Sequence, residues 1–161
     1  MQFPEPQAEH RWLQRLVGEW TVEGECSMGS DQPPMKMTGG ETVRSFGGLW
    51  TIGEGKGDAP DGTCDSIMTL GYDPQTKRFV GTFVASATTH LWLYNGTLDG
   101  TGSKLVLDSE GPSFSGDGTM ARYQDIIEFL SDDHRTLSSQ VLGADGEWQP
   151  FMKAHYRRTA Q

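Results

Sequence analysis

Residues 18–28 read Gly18-Glu19-Trp20-Thr21-Val22-Glu23-Gly24-Glu25-Cys26-Ser27-Met28. Trp20, Val22, Gly24, Cys26 and Met28 alternate with Glu19, Thr21, Glu23, Glu25 and Ser27. A period of two marks a strand with one buried and one wet face. The stretch before it has another period. Across residues 7–17, Trp12, Leu13, Leu16 and Val17 recur at helical spacing against Glu9, Arg11, Gln14 and Arg15, and Gly18 supplies the stop. The chain opens with one short helix and then turns to β-structure.

The strand pattern continues to the end of the chain. A run from Met35 to Phe46 meets Gly47-Gly48, which reads as a two-residue hairpin into residues 49–55. Asp61-Gly62 precedes a strand near residues 66–72, and Asp73-Pro74-Gln75-Thr76 turns the chain into 77–86. Residues 90–99 and 103–109 flank Asp99-Gly100. Asn95-Gly96 is read inside a strand, with a bulge as one way to fit it, because a hairpin there would leave only stubs. A longer loop at 110–118 leads into 119–130, Asp132-Asp133-His134 turns into 135–142, and Asp145-Gly146 turns into 147–158.

About ten strands joined by short links become antiparallel neighbours. A meander of that length must curl, and closing it removes two exposed edges. The expected fold is all-β: a single antiparallel up-and-down β-barrel of about ten strands with a short N-terminal helix. One domain is expected over residues 1–161, with the helix at 7–17 and the barrel at 19–158. Closure at roughly eight to ten strands leaves an interior wide enough for one small ligand. A two-sheet sandwich is the structural alternative.

Composition narrows the partners. Lys plus Arg number 13 against 22 Asp plus Glu, a net charge of -9 over 161 residues. That balance argues against nucleic acid and anionic membranes, which need excess cationic side chains. No run approaches the roughly 20 apolar residues of a spanning helix. The start, Met1-Gln2-Phe3-Pro4-Glu5-Pro6, lacks the basic and apolar segments of a secretory signal, so a cytoplasmic location is expected. Cys26 and Cys64 are the only cysteines, too few for a disulfide scaffold or a structural zinc site, and they are read as reduced thiols.

Several motifs are set aside on chemical grounds. Gly53-Glu54-Gly55-Lys56-Gly57 has no following Ser or Thr and no downstream helix to hold phosphate. There is no Gly-x-Ser-x-Gly elbow. His10, His90, His134 and His155 show no metal-ligand spacing, so no metal site is assigned, and Asp132-Asp133-His134 reads as a solvated turn.

Gly18-Glu19-Trp20, following a helix and opening the first strand, resembles the Gly-x-Trp start of lipocalins and other calycins. In those barrels an Arg from the closing strand packs across the Trp. Alternation puts Trp148, Met152, Tyr156 and Arg158 on one face, so Arg158 is the first choice to cover Trp20, by cation–π attraction and as a planar donor at the closed end. Over about residues 10–158 the chain also resembles the bacterial family catalogued as domain of unknown function 1579. That resemblance rests on Gly47-Gly48-Leu49-Trp50, Leu70-Gly71-Tyr72-Asp73-Pro74, His90-Leu91-Trp92 and Glu110-Gly111-Pro112-Ser113-Phe114. Tyr123-Gln124-Asp125, Asp133-His134-Arg135 and His155-Tyr156-Arg157-Arg158 extend it. The family commonly has Arg where this chain has Gln124. The resemblance implies a calycin-like, lipocalin-like barrel of soluble bacterial origin and no assigned reaction.

Polar residues on the apolar side of a strand are the informative ones. Glu41 shares a face with Met35, Met37 and Val43; Asp125 shares one with Ala121, Tyr123, Ile127 and Phe129; Glu54 shares one with Trp50 and Ile52 but sits near the rim. Glu41 and Asp125 are therefore expected inside, where an unpaired carboxylate is costly. Each is read as a strut paired to Arg or Tyr, as a holder of a polar ligand head group, or as a general acid or base. His90, Trp92 and Tyr94 share a face, while Leu91 and Leu93 share the other, and periodicity does not choose between them.

The leading expectation is a binding protein for a small hydrophobic or amphipathic molecule, with Trp50, Trp92, Met37 and Phe83 as wall and Glu41, Tyr123, Asp125 and an inward His90 fixing orientation. The alternatives are an enzyme using a cavity carboxylate, a haem-binding barrel using His90 or His155, and an interaction module whose core is solid with Met and Trp. Self-association into a homo-oligomer is left open, with no feature of the sequence behind it.

Overall fold

The computed structural model describes residues 1–27, 33–59 and 62–161, so Met28 and Asp61 of the sequence reading lie outside the described residues. One helix, α1 (Ala8–Gln14), precedes ten strands: β1 (Gly18–Cys26), β2 (Met35–Phe46), β3 (Trp50–Ala59), β4 (Gly62–Asp73), β5 (Arg78–Ala85), β6 (Trp92–Leu98), β7 (Lys104–Pro112), β8 (Met120–Ser131), β9 (His134–Leu142) and β10 (Trp148–Ala160). Every strand pairs antiparallel with its chain neighbour, and β1 pairs with β10, closing the barrel. Closure removes the sandwich alternative.

The helix is shorter than its apolar pattern because its last turn tightens. Arg15, Leu16 and Val17 donate to the carbonyls three residues back, Trp12, Leu13 and Gln14, in the 3₁₀ manner. Gly18 then reverses direction at φ 141°, which a side chain would resist. At the other end, His10 Nδ1 accepts from the Gln7 amide and its Nε2 donates to the Tyr72 carbonyl, tying the helix start to β4. The helix thereby plugs one end of the barrel with Trp12, Leu13 and Leu16, packed against Leu70, Phe79, Leu105, Ile127 and Phe129.

Several boundaries differ from the sequence reading. The β2–β3 hairpin has three loop residues, because Phe46 pairs with Trp50 and Leu49 joins Gly47 and Gly48 in the turn. β7 runs on to Pro112, so the loop before β8 starts at Ser113. Asn95 and Gly96 lie within β6 in unbroken register with β5 and β7, with no bulge. On β10 a register shift between Pro150 and Met152 reverses the alternation. Trp148 therefore lies opposite Leu142 on the outer face, away from Met152, Tyr156 and Arg158.

The registers fix which side chains point inward. Gly55 faces Ser66 and Glu41, Gly53 faces Val43 and Met68, and Thr51 faces Leu70. Thr51, Gly53 and Gly55 are thus the lumen side of β3, and Trp50, Ile52 and Glu54 point out. This corrects the assignment of Trp50 to the cavity wall. The interior needs the space: a Cβ at Gly53 would stand 2.9 Å from a Glu41 oxygen, and one at Gly55 would stand 2.6 Å from the Ser66 hydroxyl. Outside, the Trp50 ring lies on Gly71 of β4, where a Cβ would overlap it. Glu54 is exposed on the same outer face.

Candidate functional site

The closed end is held by the two residues expected there. The Arg158 guanidinium stands 4.2 Å from the Trp20 ring centre. Arg158 also donates to the Val17 and Arg15 carbonyls, and Trp20 Nε1 donates to the Leu16 carbonyl between them. Three successive carbonyls at the helix exit are satisfied by this pair. Asp132 and Asp133 accept further Arg158 hydrogens.

Above this plug lies a dry ion pair. Glu41 meets Arg135 at 2.6 Å, with the two side chains only 13% and 3% exposed. The Arg135 guanidinium also lies 4.4 Å from the Trp20 ring and 4.1 Å from the Tyr156 ring. The gap beside the pair is about 20 Å³, the size of one water. Glu41 is therefore a strut. Arg135 is the residue that sequence reasoning missed, although it starts an inward series with Leu137, Ser139 and Val141 and is the inward cation that Glu41 needs.

Beyond Met68 and Leu137 the lumen opens into a cavity of about 430 Å³. Its wall includes Phe83, His90, Trp92, Tyr123, Asp125 and Phe151. Phe114, nearly half exposed in the β7–β8 loop, stands edge-on to Tyr123 and Phe151 at ring distances of 5.7 and 4.9 Å. Trp92 meets Tyr123 edge-on at 5.0 Å and His90 at 4.7 Å. Met37 is inward and half-buried but does not border this cavity. Phe151 reaches it because of the β10 register shift, a feature that strict alternation hides. A core filled solid by Met and Trp would leave no cavity of this size.

Asp125 is the cavity's ionisable group. Ser139 donates to one of its oxygens at 2.6 Å, and the buried Tyr94 hydroxyl donates to the other. Loss of water pushes the Asp125 carboxyl above its ordinary 3.8, against the pull of these two hydrogen bonds. Burial, then the neighbouring Asp125, holds the Tyr94 hydroxyl well above its usual 10. Tyr123 donates to the Pro112 carbonyl, and His90 Nε2 donates to the Glu110 carbonyl at 3.0 Å, which leaves its Nδ1 as an acceptor. His155 points outward, with its Nδ1 2.9 Å from His134 Nε2. At the variant family position, Gln124 donates to Asp108 and accepts from Gln140, a hydrogen-bonded ladder across three strands of the outer face.

A closed antiparallel barrel of ten strands, plugged by a helix at one end and hollow toward the other, is a calycin-like barrel. The model of the family described as "Protein of unknown function (DUF1579)" matches residues 5–158, and the chain belongs to that family. Rv2717c from M. tuberculosis is similar in fold, with a TM-score of 0.62 at 13% identity over 96% of this chain and 99% of that one. The S-type phycobiliprotein lyase CPES from Guillardia theta gives 0.66 at 12% identity over 96% and 94%. EF1p2_mFAP2b bound to DFHBI gives 0.50 at 14% over 93% and 98%. At these identities the likeness is one of fold. No curated protein matches the chain.

Proposed function

We propose that this barrel binds a small hydrophobic or amphipathic molecule in the cavity above the Glu41–Arg135 pair. The observation that carries the reading is the cavity itself: about 430 Å³, walled by Phe83, Trp92, Tyr123 and Phe151, with one carboxyl set into it. That volume falls within the roughly 300–1,000 Å³ of small-molecule sites, and an apolar wall with few polar groups is their usual make-up. The likeness in fold to a phycobiliprotein lyase and to a barrel bound to DFHBI agrees with a lumen that holds a ligand. No helix among the described residues is long and apolar enough to cross a membrane. A count of only two cysteines, Cys26 and Cys64, suits a cytoplasmic protein.

Trp92 reports on occupancy, since it stands in the wall. Titration with fatty acids, flavonoids, haem and hydrophobic amines is expected to change tryptophan emission and raise the melting temperature for at least one class. Trp92→Phe should remove the emission change while keeping the thermal shift. No response in emission or melting from any class overturns the reading.

A further inference from the structure

Among the described residues, the registers place only four Asp, Glu, Lys or Arg side chains on the inward side of the ten strands: Glu41, Asp125, Arg135 and Arg158. Arg158 is spent at the closed end on carbonyls and Asp133. Arg135 is paired with Glu41 through one guanidinium nitrogen, its buried Nε has no hydrogen-bond partner, and it does not border the 430 Å³ cavity. Asp125 has no cationic partner among the described residues; both of its oxygens accept from neutral hydroxyls. The hollow part of the lumen therefore carries one carboxyl with no cation beside it, enclosed by aromatic rings.

Hydrogen accounting points the same way. The hydrogens of Tyr94 and Ser139 go to Asp125, that of Tyr123 to the Pro112 carbonyl, and that of His90 Nε2 to the Glu110 carbonyl. What these groups still offer to the cavity is lone pairs. The Thr88, Ser109 and Ser113 hydroxyls also border the cavity and can serve a neutral head group, but a carboxylate would face Asp125 with no cation in the cavity wall.

We infer that the ligand of this cavity is a hydrophobic amine, carrying a protonated nitrogen that the Asp125 carboxyl pairs with and that the rings of Trp92, Tyr123 and Phe151 surround. The inference rests on the cavity-binding function proposed above and adds the ligand's charge. An ammonium is a donor-only group, so it fits the leftover acceptors. Aromatic faces attract it through their quadrupoles, most strongly when desolvated. The net charge of -9 raises the local concentration of cations around the whole molecule. Water loss around Asp125 holds its proton more tightly than usual, the condition an entering cation relieves.

Three probes with one ring system test it: 1-naphthylmethylamine, 1-naphthalenemethanol and 1-naphthoate, each titrated calorimetrically into the full chain at pH 7. The amine is expected to bind roughly ten-fold or more tighter than the alcohol, because a charge pair formed away from water couples strongly, with the naphthoate weakest. Asp125→Asn should abolish the amine's advantage, bringing the ratio of amine to alcohol affinity close to one. Alcohol or naphthoate binding as tightly as the amine to the unaltered protein overturns the inference and leaves cavity binding standing. Failure of all three to bind overturns both. The wild-type ratio decides the matter even if Asp125→Asn does not fold.

Discussion

The Glu41–Arg135 pair allows a quantitative test of how dry the lumen is. At 2.6 Å and an effective dielectric near 20, the attraction is about 6 kcal/mol. Desolvation costs several kcal/mol for each ion, so the pair as a whole contributes little net stability against an apolar equivalent. Removing one partner is another matter, since it leaves the other charge buried at 3% or 13% exposure. Glu41→Met and Arg135→Met are each expected to cost about 3–5 kcal/mol. In a domain of this size each kcal/mol is worth about 2–4 °C, so each variant should melt about 6–20 °C lower. The double variant replaces the pair by two unbranched apolar chains and keeps contact with the Trp20 and Tyr156 rings. It should fall within about 2 kcal/mol of the wild type, less than either single change. Urea unfolding of all four proteins, with m-values compared, gives the coupling energy. Additive losses would mean that water reaches both charges and that the lumen floor is not closed.

Arg158→Lys keeps the charge but loses the fork that serves Val17, Arg15 and Asp132. It should cost about 2–3 kcal/mol and speed amide exchange in α1, and unaltered exchange there would refute the latch. Asp125 gives a pH signature. Its folded pKa is raised, so the native state binds the extra proton, and stability falls as pH rises from 3.8 through the raised value. Asp125→Asn should flatten that decline in a melting-temperature profile; an unchanged slope assigns it to other groups. A Cβ at Gly111 would overlap the Trp92 ring, whereas one at Gly100 meets nothing within 4 Å. Gly111→Ala should therefore cost about 1–3 kcal/mol and shift tryptophan emission, with Gly100→Ala silent on emission.

The barrel was legible because most strands obey alternation and the links are short. β2 occupies the run read for it, and the inward parity that puts Glu41 and Asp125 in the lumen holds on β2 and β8. Two failures have distinct physical causes. On β3 the lumen side is Thr51, Gly53 and Gly55 because the carboxylate across the strand fills that space, so the more apolar face, with Trp50 and Ile52, is outside. Amphipathy cannot identify the inside when glycines line it. On β10 a single register shift sends Trp148 out and brings Phe151 to the cavity, and Pro150, which cannot donate to the ladder, is its mark in the sequence. Arg135 escaped for a different reason. Pairing across 94 residues, it becomes visible only once β2 and β9 are known to face one lumen.

The seam between β1 and β10 joins Trp20 to Arg158, so the contact that closes the barrel unites residues far apart in the sequence. During synthesis, β1 must wait with its edge unsatisfied until β10 has left the ribosome. Such long-range closure is slow, and the waiting edge invites strand exchange with a neighbouring nascent copy. For a protein built this way, the hazard of misassembly is concentrated in the interval before residue 158 emerges.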